Sequence, residues 1–372
     1  MSAHDLKTRL RTRDLRTGPK TRGTKLLLRA GLLTVLALGA TFLLDPYRNY
    51  QLATSAGVFA AVAGLTLLVG LTGQLSLGHA VLMAAGGYGY ALTATWVAGT
   101  LAGADGEVAD GVVGWLLPLL AGVAGALVTA GVLGLLLGLA AARLRGPYLA
   151  GLTLALVIAL PSVASTIPAL SGAQGVSAPF VPVPDALSAL IAVEQWHAWL
   201  AILVTACAVT PLVALRSGRA GLRMRAVHDD ETASRLAGVD PGRVKTGAFV
   251  ISSLAAGLGG VVLAIVTQQV SPGAYGLGFS LLLVVAAVVG GLGSLGGAAI
   301  GAVLVTVLPW VVDQATAGLP ADLSHRLQGN LEIVLFGVVV IVVTILWPGG
   351  LSRLLQTTKF FRNTKLFQNT ER

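Results

Sequence analysis

The chain alternates long apolar runs with short polar ones. No Asp, Glu, Lys or Arg occurs between Asn49 and Ala104, nor between Thr246 and Val312. A helix needs about 20 apolar residues to cross a bilayer, so each run holds more than one crossing. Apolar windows and the charge of the loops between them predict ten crossings. They lie at 30–45, 50–70, 75–98, 113–141, 147–168, 196–215, 246–268, 279–292, 296–312 and 331–347. The expected fold class is all-α: a polytopic membrane protein of about ten transmembrane helices. Residues 169–195 are rich in Pro, Gly and Ser and read as a loop on the outer side.

Two places break the apolar pattern: VGLTGQLSLGHAVLMAAGGYG at 69–89 and VVGGLGSLGGAAIGAVL at 288–304. Both set Gly and Ser between apolar half-segments, which predicts broken helices. Irregular backbone at membrane depth is tolerated only where it is buried in protein or lines a cavity. Close helix packing through small residues and lining of a passage both stand for 288–304. In 69–89, Gln74, Ser76 and His79 favour the passage.

A third feature is the polar stretch RAVHDDETASRLAGVDPGR at 225–243. Asp229 reads as an N-cap, with Asp230 and Glu231 in the first turn, where carboxylates suit the helix dipole. Arg235 lies near the other end and Gly238 is placed for the left-handed C′ position. A helix of about two turns is predicted over 230–237, and Asp240-Pro241 then starts the next crossing. Two turns are not stable alone in water. The membrane domain or another protein must hold them, and Ala233, Leu236 and Ala237 offer a small apolar face. An ordinary solvated loop helix fits the same pattern.

Composition removes the soluble classes: 55% of residues are hydrophobic, 11% are charged, and mean hydropathy is +0.82. The net charge of +9 could suggest nucleic acid, but its distribution excludes that partner. The basic residues gather in the N-terminal tail, at 143–145, at 216–245 and in the C-terminal tail, with only Arg48 and Arg326 elsewhere. The positive-inside rule puts those four segments, and so both termini, in the cytoplasm. The organisation expected is a basic tail at 1–29, a transmembrane domain at 30–350 whose polar loop is 216–245, and a second basic tail at 351–372. The tails also touch anionic membrane lipid. The first apolar run has no cleavage site and reads as an uncleaved span. Cys207, the only cysteine, reads as a small buried hydrophobe.

Chemistry-bearing motifs are missing. The sequence has no G-x-x-x-x-G-K-[ST] phosphate loop and no cluster with metal-ligand spacing. Ser76 and His79 are close enough to touch, but no acid orients the histidine, so a hydrolase is disfavoured. An ion-driven secondary transporter needs intramembrane carboxylates, and the charge-free runs hold none.

Five segments, in order, carry a resemblance. They are GLTGQLSLGHAVLMAAGGYGYAL, RLRGPYLAGLTLALV, GRAGLRMRAVHDDETASRLAGVDPGRVKTGAFVISSLAAGLGGVVLA, SPGAYGLGFSLLLVVAAVVGGLGSLGGAAIGAVLV and RLQGNLEIVLFGVVVIVVTILWPGGL. Over roughly residues 45 to 352 the chain resembles the permease subunits of ATP-binding-cassette importers for branched-chain amino acids, the larger of two permease types. The resemblance implies a bacterial inner-membrane transport subunit that is not itself an enzyme. It implies alternating access driven by partners: a second homologous permease subunit, two ATP-binding cassette subunits and an extracytoplasmic substrate-binding protein. ATP and Mg would be bound by the ATPase subunits, leaving no cofactor in this chain. The polar helix becomes a cytoplasmic coupling helix, with Asp229, Asp230, Glu231, Arg235 and Gly238 as coupling residues. Gln74, Ser76 and His79 become candidates for the translocation pathway. Branched-chain amino acids are the implied cargo; related permeases carry urea and other small polar solutes.

Overall fold

The computed structural model of this chain describes residues 19–102, 112–144, 147–170 and 174–316, with 337–338, 341–343, 345–346 and 349–352 near the C-terminus. Helices dominate: α1 (Pro19–Ala40), α2 (Pro46–Thr72), α3 (His79–Leu101), α4 (Val112–Arg143), α5 (Pro147–Thr166) and the single turn α6 (Asp185–Ser188). They continue with α7 (Val193–Ser217), α8 (Arg219–Asp229), α9 (Glu231–Leu236), α10 (Pro241–Thr267), α11 (Leu277–Gly290) and α12 (Leu295–Thr316). Among the described residues, six helices are long and apolar enough to cross a bilayer: α2, α4, α5, α7, α10 and α12 over Leu295–Val312. Ala30–Leu43 and Leu277–Gly290 are shorter apolar helices. The all-α, multi-pass architecture is therefore the one the apolar pattern predicts. The first nine expected crossings each fall on a helix. The tenth, 331–347, and both ends of the chain lie largely outside the described residues, and α1 begins at Pro19 rather than at 30.

Two helices form the axis. The spans of α2 and α10 are each 72% buried, whereas those of α4, α5, α7 and α12 are about one-third buried or less. Small residues explain why α2, α3 and α10 meet so closely. A Cβ added at Gly86 of α3 would collide with the backbone of Gly257 in α10, and one at Gly260 would collide with the Met83 carbonyl. Gly64 of α2 packs on Ser252 of α10 in the same way. In lipid there is no hydrophobic drive between helices, so close backbone approach and interhelical hydrogen bonds hold them. Thr246 Oγ1 donates to the Gly138 carbonyl of α4 at 2.9 Å, Thr129 Oγ1 to Ala85 of α3 at 2.7 Å, and Thr205 Oγ1 to Ala56 of α2 at 2.9 Å. Gly86→Val is expected to pry α3 from α10 and destabilise the fold by about 1–3 kcal/mol, the usual range for overpacking. A detergent unfolding midpoint equal to that of the wild type would contradict this contact.

The peripheral helices turn apolar side chains outward, Val128, Leu136 and Ile158 among them. Cys207, expected to be buried, is exposed on α7. An apolar position on a lipid-facing helix needs no protein around it, so burial does not follow from hydrophobicity there.

The two ends of the bundle differ. At one end Trp196 meets Trp115 and Trp199 edge-on, with centroids 5.7 and 6.4 Å away, and Phe42 meets Trp199 at 5.7 Å. Trp199 and Gln195 both donate to Thr41 Oγ1. Aromatic rings thus cluster between the helices at this end. The loop before α7 is pinned at this end by a two-residue antiparallel ladder, β1 (Val176–Ser177) with β2 (Gln269–Val270). At the other end lie the last turn of α4 with Arg143, the first turn of α10, and α8 with α9.

Candidate functional site

Both interrupted segments are breaks in helices, and the fold brings them together. Helix α2 ends at Gly73, whose φ of +68° is left-handed and whose N–H reaches the Val69 carbonyl at 2.9 Å. Residues 73–78 then run as irregular backbone into α3. The second break, 291–294, joins α11 to α12. The Gly293 N–H donates to the Thr66 carbonyl of α2 at 3.0 Å, and Gly70 leaves room for no side chain against Gly293. Glycine at these sites allows one break to lie directly on the helix that feeds the other.

The loop 73–78 is fastened from three sides. The Leu77 N–H donates to Thr153 Oγ1 of α5 at 3.0 Å, and Ser280 Oγ of α11 donates to the Leu77 carbonyl at 2.5 Å. His79, the first residue of α3, is completely buried. Its Nδ1 lies 3.3 Å from Ser76 Oγ and its Nε2 lies 3.0 Å from Ser252 Oγ of α10. A neutral imidazole has one donor and one acceptor nitrogen, and a serine hydroxyl serves either, so both nitrogens are satisfied. His79 thus works as a strut between loop and axis. Gln74 differs: it is 5% exposed and, among the described residues, neither its amide oxygen nor its nitrogen has a partner. Of the three candidate pathway residues, the structure joins Ser76 and His79 and leaves the Gln74 amide unsatisfied. Ser252, Thr153 and Ser280 complete the cluster. Their only sequence signal is a small hydroxyl residue inside an apolar run.

The polar helix is α9, and its cap lies one residue later than expected. Asp229 is the last residue of α8, and Asp230 is the N-cap, extended at φ −156° and ψ 111°. Asp230 Oδ1 accepts from the N–H groups of Thr232 and Ala233 at 2.7 and 3.0 Å. The cap moves because α8 stays helical through Asp229, so only Asp230 has the extended backbone a cap needs. The helix is consequently 231–236 rather than 230–237. Gly238 takes the left-handed stop as expected, at φ +79°, its N–H donating to the Arg235 carbonyl at 2.9 Å. Asp240 caps α10 through the N–H groups of Gly242 and Arg243, with Pro241 in the first position.

Besides the buried Met224 and Val227 of α8, two polar side-chain contacts join α8 and α9 to the membrane helices, and neither was legible in the sequence. Glu231 forms an ion pair with Lys245 of α10, a lysine only 8% exposed. The ring of His228, near the end of α8, lies over Gly73 so closely that a Cβ there would collide with it. Arg235, Ala233, Leu236 and Ala237 face outward, Leu236 being 87% exposed. The small apolar face is therefore uncovered among the described residues.

Comparison with known proteins gives a consistent assignment. The family model described as branched-chain amino acid transport system / permease component matches residues 49–344. The high-affinity branched-chain amino acid transport system permease protein LivM of Salmonella typhimurium is 28% identical over 307 residues, which cover 74% of this chain and 66% of that protein. LivM of Escherichia coli is 28% identical over 301 residues, with the same coverage of each chain. The chain thus spans just under two-thirds of the length of these curated relatives. No solved structure matches it. With the family model covering most of its length, the chain belongs to the family of permease components of branched-chain amino acid transport systems.

Proposed function

We propose that this chain is a membrane-spanning subunit of an ATP-binding-cassette importer that moves branched-chain amino acids into the cytoplasm. It works beside a second, similar permease, two ATPase subunits and an extracytoplasmic binding protein, in the inner membrane of a bacterium. The end of the bundle that carries Arg143, α8 and α9 is the cytoplasmic end, and the end with the tryptophan cluster faces outward. The cargo follows from the LivM relatives, which are permease proteins of high-affinity branched-chain amino acid transport systems.

The observation that carries this reading is α9. It is capped at both ends, tethered by a buried lysine, and uncovered over Ala233, Leu236 and Ala237. A short rigid helix of that kind suits a groove on a partner that pushes. ATP-driven closure of the ATPase pair would press on α9 and its counterpart and rock the permeases between inward-open and outward-open states. Gln74, Ser76 and His79 lie where the passage forms, and Asp229, Asp230, Glu231, Arg235 and Gly238 build the coupling element.

Purification from the native membrane in mild detergent tests the assembly. Two ATPase subunits and a second permease are expected to co-purify. In proteoliposomes the complex should take up labelled leucine only with ATP and the binding protein present. A chain that comes out alone, under conditions that preserve known importer complexes, would refute the reading.

A further inference from the structure

The loop 73–78 is tied to α5, α10 and α11 at its far end, and at its near end a side chain of α8 is packed on its first residue. That side chain is His228. Its ring is packed on Gly73, the left-handed residue that ends α2, and Gln74 follows immediately. Resting on the importer reading above, we propose that His228 is a positioning residue: through Gly73 it transmits displacement of α8 and α9 to the loop that carries Gln74, Ser76 and His79.

Four observations support this. First, α8 and α9 are joined to α10 through Glu231 and Lys245 and to α2 through His228 and Gly73. Second, these attachments converge. Helix α10 reaches His79 through Ser252, and Gly73 reaches it along the loop through Ser76. A rigid push on α9 therefore acts on both sides of one strut. Third, Gly73 has no slack: any side chain would strike the ring, and the left-handed backbone favours glycine. A glycine Cα pressed by an aromatic ring transmits motion without a flexible side chain between. Fourth, the loop carries an unsatisfied group: among the described residues the buried Gln74 amide has no hydrogen-bond partner. Burying an unpartnered amide is unfavourable, so any arrangement that gives it a partner is favoured. Coupling between distant sites requires an element with two arrangements that both sites bias, and we assign that role to the loop.

The test uses the whole complex with its ATPases and binding protein in proteoliposomes, and measures labelled leucine taken up per ATP hydrolysed. His228 is exposed over much of its surface, so His228→Ala empties no core. It should assemble and hydrolyse ATP as the wild type does, yet the ratio of leucine to ATP should fall about fivefold or more, the range of ordinary coupling energies. His228→Phe keeps a ring over Gly73 and should restore most of the ratio; a residue needed only for local folding would not give that ring-specific rescue. A ratio unchanged in His228→Ala, or a loss that His228→Phe does not rescue, overturns the proposal. Failure of the wild-type complex to assemble or to take up leucine overturns the importer reading instead.

Discussion

Glu231→Ala is expected to abolish uptake while the chain still inserts and folds. The substitution removes the partner of Lys245, whose side chain is largely enclosed at the start of α10. An unpaired buried ammonium is far less favourable than a paired one, and breaking such a pair destabilises by about 3–5 kcal/mol when burial is deep. Glu231 keeps a third of its side-chain surface in solvent, which places this pair below that range. The structural penalty and the functional one separate in a double variant. Glu231→Ala with Lys245→Met replaces both charges by apolar groups, a change that is often neutral or stabilising for a buried pair. Thermal stability in detergent should return toward that of the wild type, and uptake should stay lost because α9 is no longer fixed to α10. If the double variant transports normally, the ion pair serves stability alone and the tether has no part in coupling.

The second large effect is expected at His79. His79→Ala removes the strut, leaves the hydroxyls of Ser76 and Ser252 without their partner, and opens a cavity between the loop and α10. Large-to-small changes at fully buried positions destabilise by about 2–5 kcal/mol. Uptake should fall by more than about tenfold, the equivalent of about 1.4 kcal/mol in the barrier. ATPase docking should be retained, because His79 meets Ser252 well inside the helix that Lys245 anchors at its start. A pull-down with the ATPase subunits and an uptake assay on the same preparation decide the matter. Loss of docking would make His79 a residue of the general fold, and undiminished uptake would remove the strut from the transport cycle. His79→Gln, which can still hydrogen-bond one of the two serines, should lie between the wild type and the alanine variant.

Much of this was fixed by composition and local chemistry. Apolar runs without charge have no soluble solution, and in lipid every backbone polar group must be satisfied within the segment, so they become helices. That alone placed nine helices. Caps are equally local. Asp240, Pro241 and Gly238 act over two or three residues, and each sits where the sequence set it. The pair Asp229-Asp230 marks the edge of that legibility. Either aspartate can cap, and the choice fell to Asp230 because α8, which the apolar pattern did not predict and whose Met224 and Val227 are buried in the bundle, runs through Asp229. Gln74, Ser76 and His79 stood out because polar residues in an apolar run are rare. Their partners did not: Ser252 lies 173 residues from His79, and a serine in an apolar run has no sequence mark of what it faces. The same holds for Lys245 with Glu231, for His228 with Gly73, and for the outward Cys207. The sequence by itself determined which apolar segments form helices, the caps at Gly238 and Asp240, and which residues are chemically conspicuous there. The tertiary structure alone decided which of those residues meet, because helix packing in lipid depends on backbone shape and small-residue contacts between distant segments, and neither leaves a periodic signal along the chain.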